Sequence, residues 1–222
     1  ACNLLTSPAT RKAFDIAAEP EQTRARYGRN RWGQQCLLAR RLVEAGVDLL
    51  TVQLGGKLCG RVGNWDDHPV NHNVFAGMEY RAPFYDQAVS ALVEDLYERG
   101  LDRRVMVVVT GEFGRTPKIS YAASTGGGIA SAAKGTVQPG RDHWPRATSM
   151  LFAGGGITPG QVIGATDIRG EDATEGIVGR GDFLATIYRH LGVDPENVAF
   201  DDFSGRPIPI LQSGAPIEGL TR

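Results

Sequence analysis

Cysteine is scarce in this sequence. Cys2, Cys36 and Cys59 are the three present, and an odd number without CxxC spacing argues against a complete disulfide framework. No run of about 18 apolar residues occurs, so no membrane-spanning helix is expected. A charge of one sign is also missing. The 24 Lys and Arg residues against 25 Asp and Glu leave a net charge of -1, so bulk electrostatics predict neither a nucleic-acid partner nor insertion into a membrane. There is no GxSxG, Walker or Rossmann signature and no internal repeat. The opening residues, ACNLLTSPATRKAF, carry no signal-peptide pattern and no initiator methionine. They read as mid-protein sequence, and the expectation is a processed or truncated chain.

Glycine and proline are plentiful: 29 and 12 of 222 residues predict much loop. Between the loops, apolar periodicity marks the elements. Ser7-Pro8 starts a short helix to about Ala17. RWGQQCLLARRLVEAG (residues 31–46) is a helix with Leu38, Leu42 and Ala45 on one face and Gly46 as its stop. Cys36 on this helix reads as a small buried apolar residue. VDLLTVQL (residues 47–54) reads as a strand, and residues 57–80 as a long loop of the kind that often carries function. APFYDQAVSALVEDLYERG (residues 82–100) is a helix with Pro83 near its first turn and Ala88, Leu92 and Leu96 buried. VMVVVT (residues 105–110) is a buried strand. Residues 120–140 read as a mobile surface excursion. ATSMLFAGGG (residues 147–156) is a third strand, and GQVIGATD (residues 160–167) a short edge strand. GDFLATIYRHLG (residues 181–192) is a helix with Asp182 as N-cap. This order predicts a single α/β domain over residues 1–222, with a largely parallel central sheet flanked by helices.

Polar side chains concentrate after these strands, where open α/β sheets bind ligands. GNWDDHPVNHN holds Asp66, Asp67, His68 and His72, a donor set suited to a divalent ion; the same residues could equally be a turn-rich polar loop. GEFGRTP holds Glu112 and Arg115, either a structural ion pair or a ligand and general base beside an anion-neutralising guanidinium. GRDHWPRA holds Arg141, Asp142, His143, Trp144 and Arg146. There the carboxylate could orient the imidazole, or the segment could be a pre-proline turn. Asp167 and Arg169 read as a turn, and His190 as a structural residue in the last turn of a helix.

Five segments, YGRNRWGQQCLLARRLVEAGVDLLTV, NWDDH, TGEFGRTPKI, GRDHWP and GGGITPGQVIGATD, stand in the order that resembles the domain of unknown function 1501 family. The resemblance spans essentially the whole chain, as the C-terminal portion of a longer protein. It implies an alkaline-phosphatase-like, sulfatase-like fold, a bacterial source, and export to a periplasmic or other extracytoplasmic location.

Taken residue by residue, the resemblance implies metal ligands at Asp66, His68, Glu112 and His143, with Arg115 and Arg141 stabilising charge. Superfamily relatives have a histidine where Phe113 stands, and Phe113 cannot ligate. The nucleophile and the first acidic ligand of relatives match nothing here, so at most one complete site for a divalent ion (zinc, calcium, magnesium or manganese) is expected. The implied activity is metal-dependent hydrolysis of phosphate or sulfate esters, on a small anionic ester or a sulfated or phosphorylated glycan. The implied alternative is a catalytically inactive binding or scaffolding module of the cell envelope.

Overall fold

The computed structural model describes residues 7–59, 61–62, 64–127 and 130–220; Cys2 lies outside them. The helices are α1 (Pro8–Phe14), α2 (Glu21–Arg26), α3 (Arg31–Glu44), α4 (Val74–Glu98) and α5 (Arg180–His190). The strands are β1 (Lys57–Leu58), β2 (Arg61–Val62), β3 (Met106–Val109), β4 (Gly114–Arg115), β5 (Ser120–Ala123) and β6 (Val137–Gly140). They continue as β7 (His143–Trp144), β8 (Leu151–Gly154), β9 (Ala165–Thr166), β10 (Ala173–Glu175), β11 (Ala199–Asp201) and β12 (Pro207–Pro209). Contacts group the chain into two compact units. One joins the described residues up to Gly100 with Phe113–Pro145; the other joins Leu101–Glu112 with the described residues from Arg146 onward.

The first unit is built on α3 and α4. Both begin at asparagine caps: the Asn30 side chain accepts from Trp32 N and Gly33 N at 3.0 and 3.1 Å. Asn73 accepts from Phe75 N and Ala76 N at 3.0 and 3.2 Å, which satisfies amides that the first helical turn leaves free. Helix α4 therefore starts nine residues before Pro83, which lies inside it. Tyr27, Trp32, Cys36, Leu37, Leu58, Ala88 and Ala91 form the core. Burial pushes the Cys36 thiol up to about 11, in keeping with its reading as an inert small apolar residue.

The buried stripe of α3 runs through Trp32, Gly33, Cys36, Leu37 and Arg40, not through Leu38, Leu42 and Ala45. The face is displaced because it contains a charge. Arg40 is buried with Glu19 at 2.9 Å, Glu44 at 2.7 Å and Asp95 at 2.9 Å, and Asp95 also takes Tyr27 OH at 2.8 Å and Arg99 Nε at 2.7 Å. Residues 47–54 form no strand; their backbone instead meets side chains, as where Trp65 Nε1 donates to the Leu54 carbonyl at 2.7 Å. The loop expected over 57–80 contains the β1–β2 hairpin and the first turns of α4. The surface excursion at 120–140 is a β5–β6 hairpin, Ser120 facing Gly140.

In the second unit β3 and β8 pair antiparallel, Met106 opposite Gly154 and Val109 opposite Leu151. All strand pairs among the described residues are two-stranded and antiparallel, so the largely parallel central sheet expected from the sequence is not found among them. A parallel neighbour needs a crossover, usually a helix. The described residues between β3 and β8 hold only short strands and loops. The all-apolar MVVV run also overstated burial, since each of its residues is half-buried. Asp182 is not the N-cap of α5. That position is Gly179, whose amide donates to the Asp182 carboxylate from N3 at 2.8 Å.

Candidate metal centre

Asp66 and His68 sit on the segment between the β1–β2 hairpin and α4. The His68 amide donates to the Asp66 carbonyl at 3.1 Å, a three-residue turn that brings the two side chains together. Between them Asp67 turns inward and makes a buried two-pronged ion pair with Arg81 of α4, one contact at 3.0 Å. A side chain at Gly77 would meet that pair, with Asp67 Oδ1 at 3.0 Å and Arg81 NH1 at 2.9 Å. Arg81 also lies over the Trp65 ring, 4.9 Å from its centre. Asp67 thus fixes the segment that carries its two neighbours.

The other half comes from the β4–β7 ladder, in which Arg115 is directly opposite His143. Cross-strand partners share a face, and here both reach Asp66. His143 Nε2 is 3.0 Å from Asp66 Oδ1, His68 Nδ1 is 3.1 Å and Arg115 NH1 is 2.6 Å. The Arg115 contact is an ion pair by distance, but its N–H is not aligned on the carboxylate. Arg141 holds the ladder from behind, its amide on the Asp67 carbonyl at 2.9 Å and its guanidinium on the carbonyls of Thr116 and Arg115 at 2.6 and 3.0 Å.

Partial burial works against ionisation of Asp66. The Arg115 guanidinium, the His143 ring and the charge of His68 outweigh it and hold the carboxyl below the ordinary aspartate value. The cluster is open to solvent, with about half of the Asp66 and His143 side chains exposed. One oxygen and two imidazole nitrogens, all within 4.8 Å of one another, form a donor set of the zinc and transition-metal type. Three protein ligands leave room in the coordination shell for water or substrate.

Of the residues read from the sequence, the structure brings Asp66, His68, His143 and Arg115 together. Glu112 is exposed and belongs to the other unit. The guanidinium of Arg141 is engaged by backbone carbonyls. His72 stands 3.9 Å from Asp67 rather than in the cluster. Asp142 does not orient His143; it accepts from Ser120 Oγ at 3.0 Å, and Asp66 takes the imidazole instead. Phe113 has a role that its failure to ligate did not suggest. Its ring lies against His143, centres 4.4 Å apart, and beneath Arg115 at 5.7 Å. The single-residue spacing from Phe113 to Arg115 was the available signal, because alternate residues of an extended segment share a face.

Helix-packed loops and a short ladder thus carry an Asp-His-His cluster, with an arginine on its carboxylate, in a chain of mixed helix and short antiparallel strand pairs. The chain belongs to the DUF1501 family, described as protein of unknown function, whose family model matches residues 2–221. No curated protein and no solved structure matches it.

Proposed function

We propose that this chain carries the metal-binding part of a metal-dependent hydrolase of phosphate or sulfate esters, with an alkaline-phosphatase-like fold and an extracytoplasmic location. The observation that carries the proposal is the convergence of Asp66, His68 and His143 from two separate stretches of chain. Those three residues would hold the ion. Their two imidazoles favour zinc or manganese over magnesium or calcium, which prefer all-oxygen shells. When bound, the ion would supply Lewis-acid polarisation of an ester oxygen. Arg115 supplies positive charge beside that position, Phe113 holds the His143 ring, and Arg141 fixes the strand from which Arg115 projects. A small anionic ester or a sulfated or phosphorylated glycan matches this charge pattern.

The test is metal analysis of the full-length protein, joined to hydrolysis of nitrophenyl phosphate and nitrophenyl sulfate before and after chelation. We expect close to one zinc or manganese per chain, lost in Asp66→Asn and His143→Ala, and turnover that chelators abolish. Absence of bound metal and of chelator-sensitive turnover would overturn the proposal.

A second reading has its own support. Arg115 already neutralises Asp66, and the Phe113 ring lies against His143. This suits a catalytically inactive module that binds anions in the cell envelope. Sulfate or phosphate binding in the presence of chelator, without turnover, would select it.

A further inference from the structure

Three nitrogens crowd Asp66 Oδ1, Arg115 NH1 at 2.6 Å, His143 Nε2 at 3.0 Å and His68 Nδ1 at 3.1 Å, and of these His143 alone meets it in a hydrogen bond. A carboxylate oxygen has two lone-pair directions, so three donors exceed what it can align. The shortfall falls on His68, which meets the oxygen by distance alone, and on Arg115, whose buried NH1 lacks an aligned acceptor despite its close approach. The two imidazoles keep their positions through other features: His68 through its turn and His143 through the ladder and the Phe113 ring. Arg115 is fixed at its backbone by Arg141, while among the described residues its guanidinium holds the misaligned ion pair and a position over Phe113.

We propose that Arg115 is a placeholder for the cation: it yields Asp66 Oδ1 to a divalent ion, and its guanidinium, remaining over Phe113, then takes a tetrahedral oxyanion of the sulfate or phosphate class. This rests on the metal-site reading given above and adds an order of events to it. A guanidinium and a dication on one oxygen repel each other, so Arg115 leaves Oδ1 when the ion arrives. Once released it presents a planar fork of N–H donors suited to oxyanions. Ion and oxyanion therefore bind with positive coupling, which is reciprocal by linkage, and the coupling requires the side chain of Arg115.

Calorimetric titration of zinc and of manganese into the full chain, with and without saturating sulfate, tests this without reference to turnover. In the unmodified chain, sulfate should tighten metal binding within the roughly 5- to 150-fold range usual for coupled sites. Arg115→Met should bind metal up to about fivefold more tightly than the unmodified chain in the absence of sulfate, about what one partly exposed, misaligned ion pair is worth. It should also lose the sulfate effect. If Arg115→Met binds metal no more tightly, or keeps the sulfate effect, the placeholder role is overturned and the metal site stands. If neither protein binds metal, the metal-site reading fails and the placeholder role fails with it. Circular dichroism checks the fold of the variant. Should Arg115→Met not fold, the sulfate effect in the unmodified chain decides: tightening supports the proposal, and its absence overturns it.

Discussion

A methyl group at Gly140 would lie 2.5 Å from Pro69 Cδ and 2.6 Å from the His68 carbonyl carbon, and backbone so placed has nowhere to yield. Gly140 therefore lets β6 run directly beneath the peptide that carries a proposed ligand. Gly140→Ala should destabilise the protein by about 2 kcal/mol or more, as strained and overpacked positions do. It should also weaken metal binding, measured by urea unfolding and by calorimetry on the same preparation. Neither the glycine's role nor the inward turn of Asp67 could be read from residue types. Asp66 and His68 were legible as candidates because carboxylate and imidazole stand so close together there, whereas His143 was joined to them through the family resemblance and not by its neighbour Asp142. Arg141 was misassigned because sequence gives the charge of a side chain and not the direction in which it turns.

Helices α3 and α4 are joined by charge as well as by apolar packing. Burial alone would raise the carboxyls of Asp95 and Glu19, but their bonds to Arg99, Tyr27 and Arg40, and to Arg40 and Arg41, hold both below the ordinary values of 3.8 and 4.5. The unfolded chain titrates near those ordinary values. The stabilisation is thus complete above about pH 5 and declines as pH falls, until the folded groups themselves protonate. Asp95→Asn should flatten this acid limb, and Asp95→Ala should cost roughly 1–3 kcal/mol at neutral pH because it leaves the buried Tyr27 hydroxyl without its acceptor while Arg40 keeps Glu19 and Glu44; urea midpoints between pH 3 and 7 measure both. Removing a cap is milder: Asn73→Ala should cost about 1 kcal/mol in the same assay. Neither α2 nor the first turns of α4 were legible, whereas α1, α3, α5 and the body of α4 were legible from their period or end signals. The phase of α3 was not, because Arg40 occupies a buried position that hydropathy assigns to solvent. The strand expected at 47–54 failed for a related reason, since its alternation is satisfied by packing on helices without a ladder.

Each compact unit has its own balance of burial. The first buries Tyr27, Trp32, Leu37, Leu58 and Leu96, whereas the buried apolar residues described in the second are Ala185, Ile217 and Leu220. The second also leaves Val162, Ile168 and Phe203 almost fully exposed. Local stability follows buried contact, so hydrogen exchange followed by mass spectrometry should show slow amides in α3 and α4 and fast ones in the β9–β10 and β11–β12 hairpins. Comparable protection in both would contradict this. Strand direction was the least legible property of the whole molecule. An apolar run such as MVVV is compatible with either direction, and only the connection decides. The indoles of this chain bear on how its chemistry can be watched. Trp65 adjoins Asp66 and Trp144 adjoins His143 in sequence, and Trp65 stacks on Trp32 with ring centres 5.6 Å apart. Cation loading should therefore change the emission of the protein without any added dye, while coupling within the stacked pair should give a far-ultraviolet dichroism signal that marks the intact first unit independently of the ion.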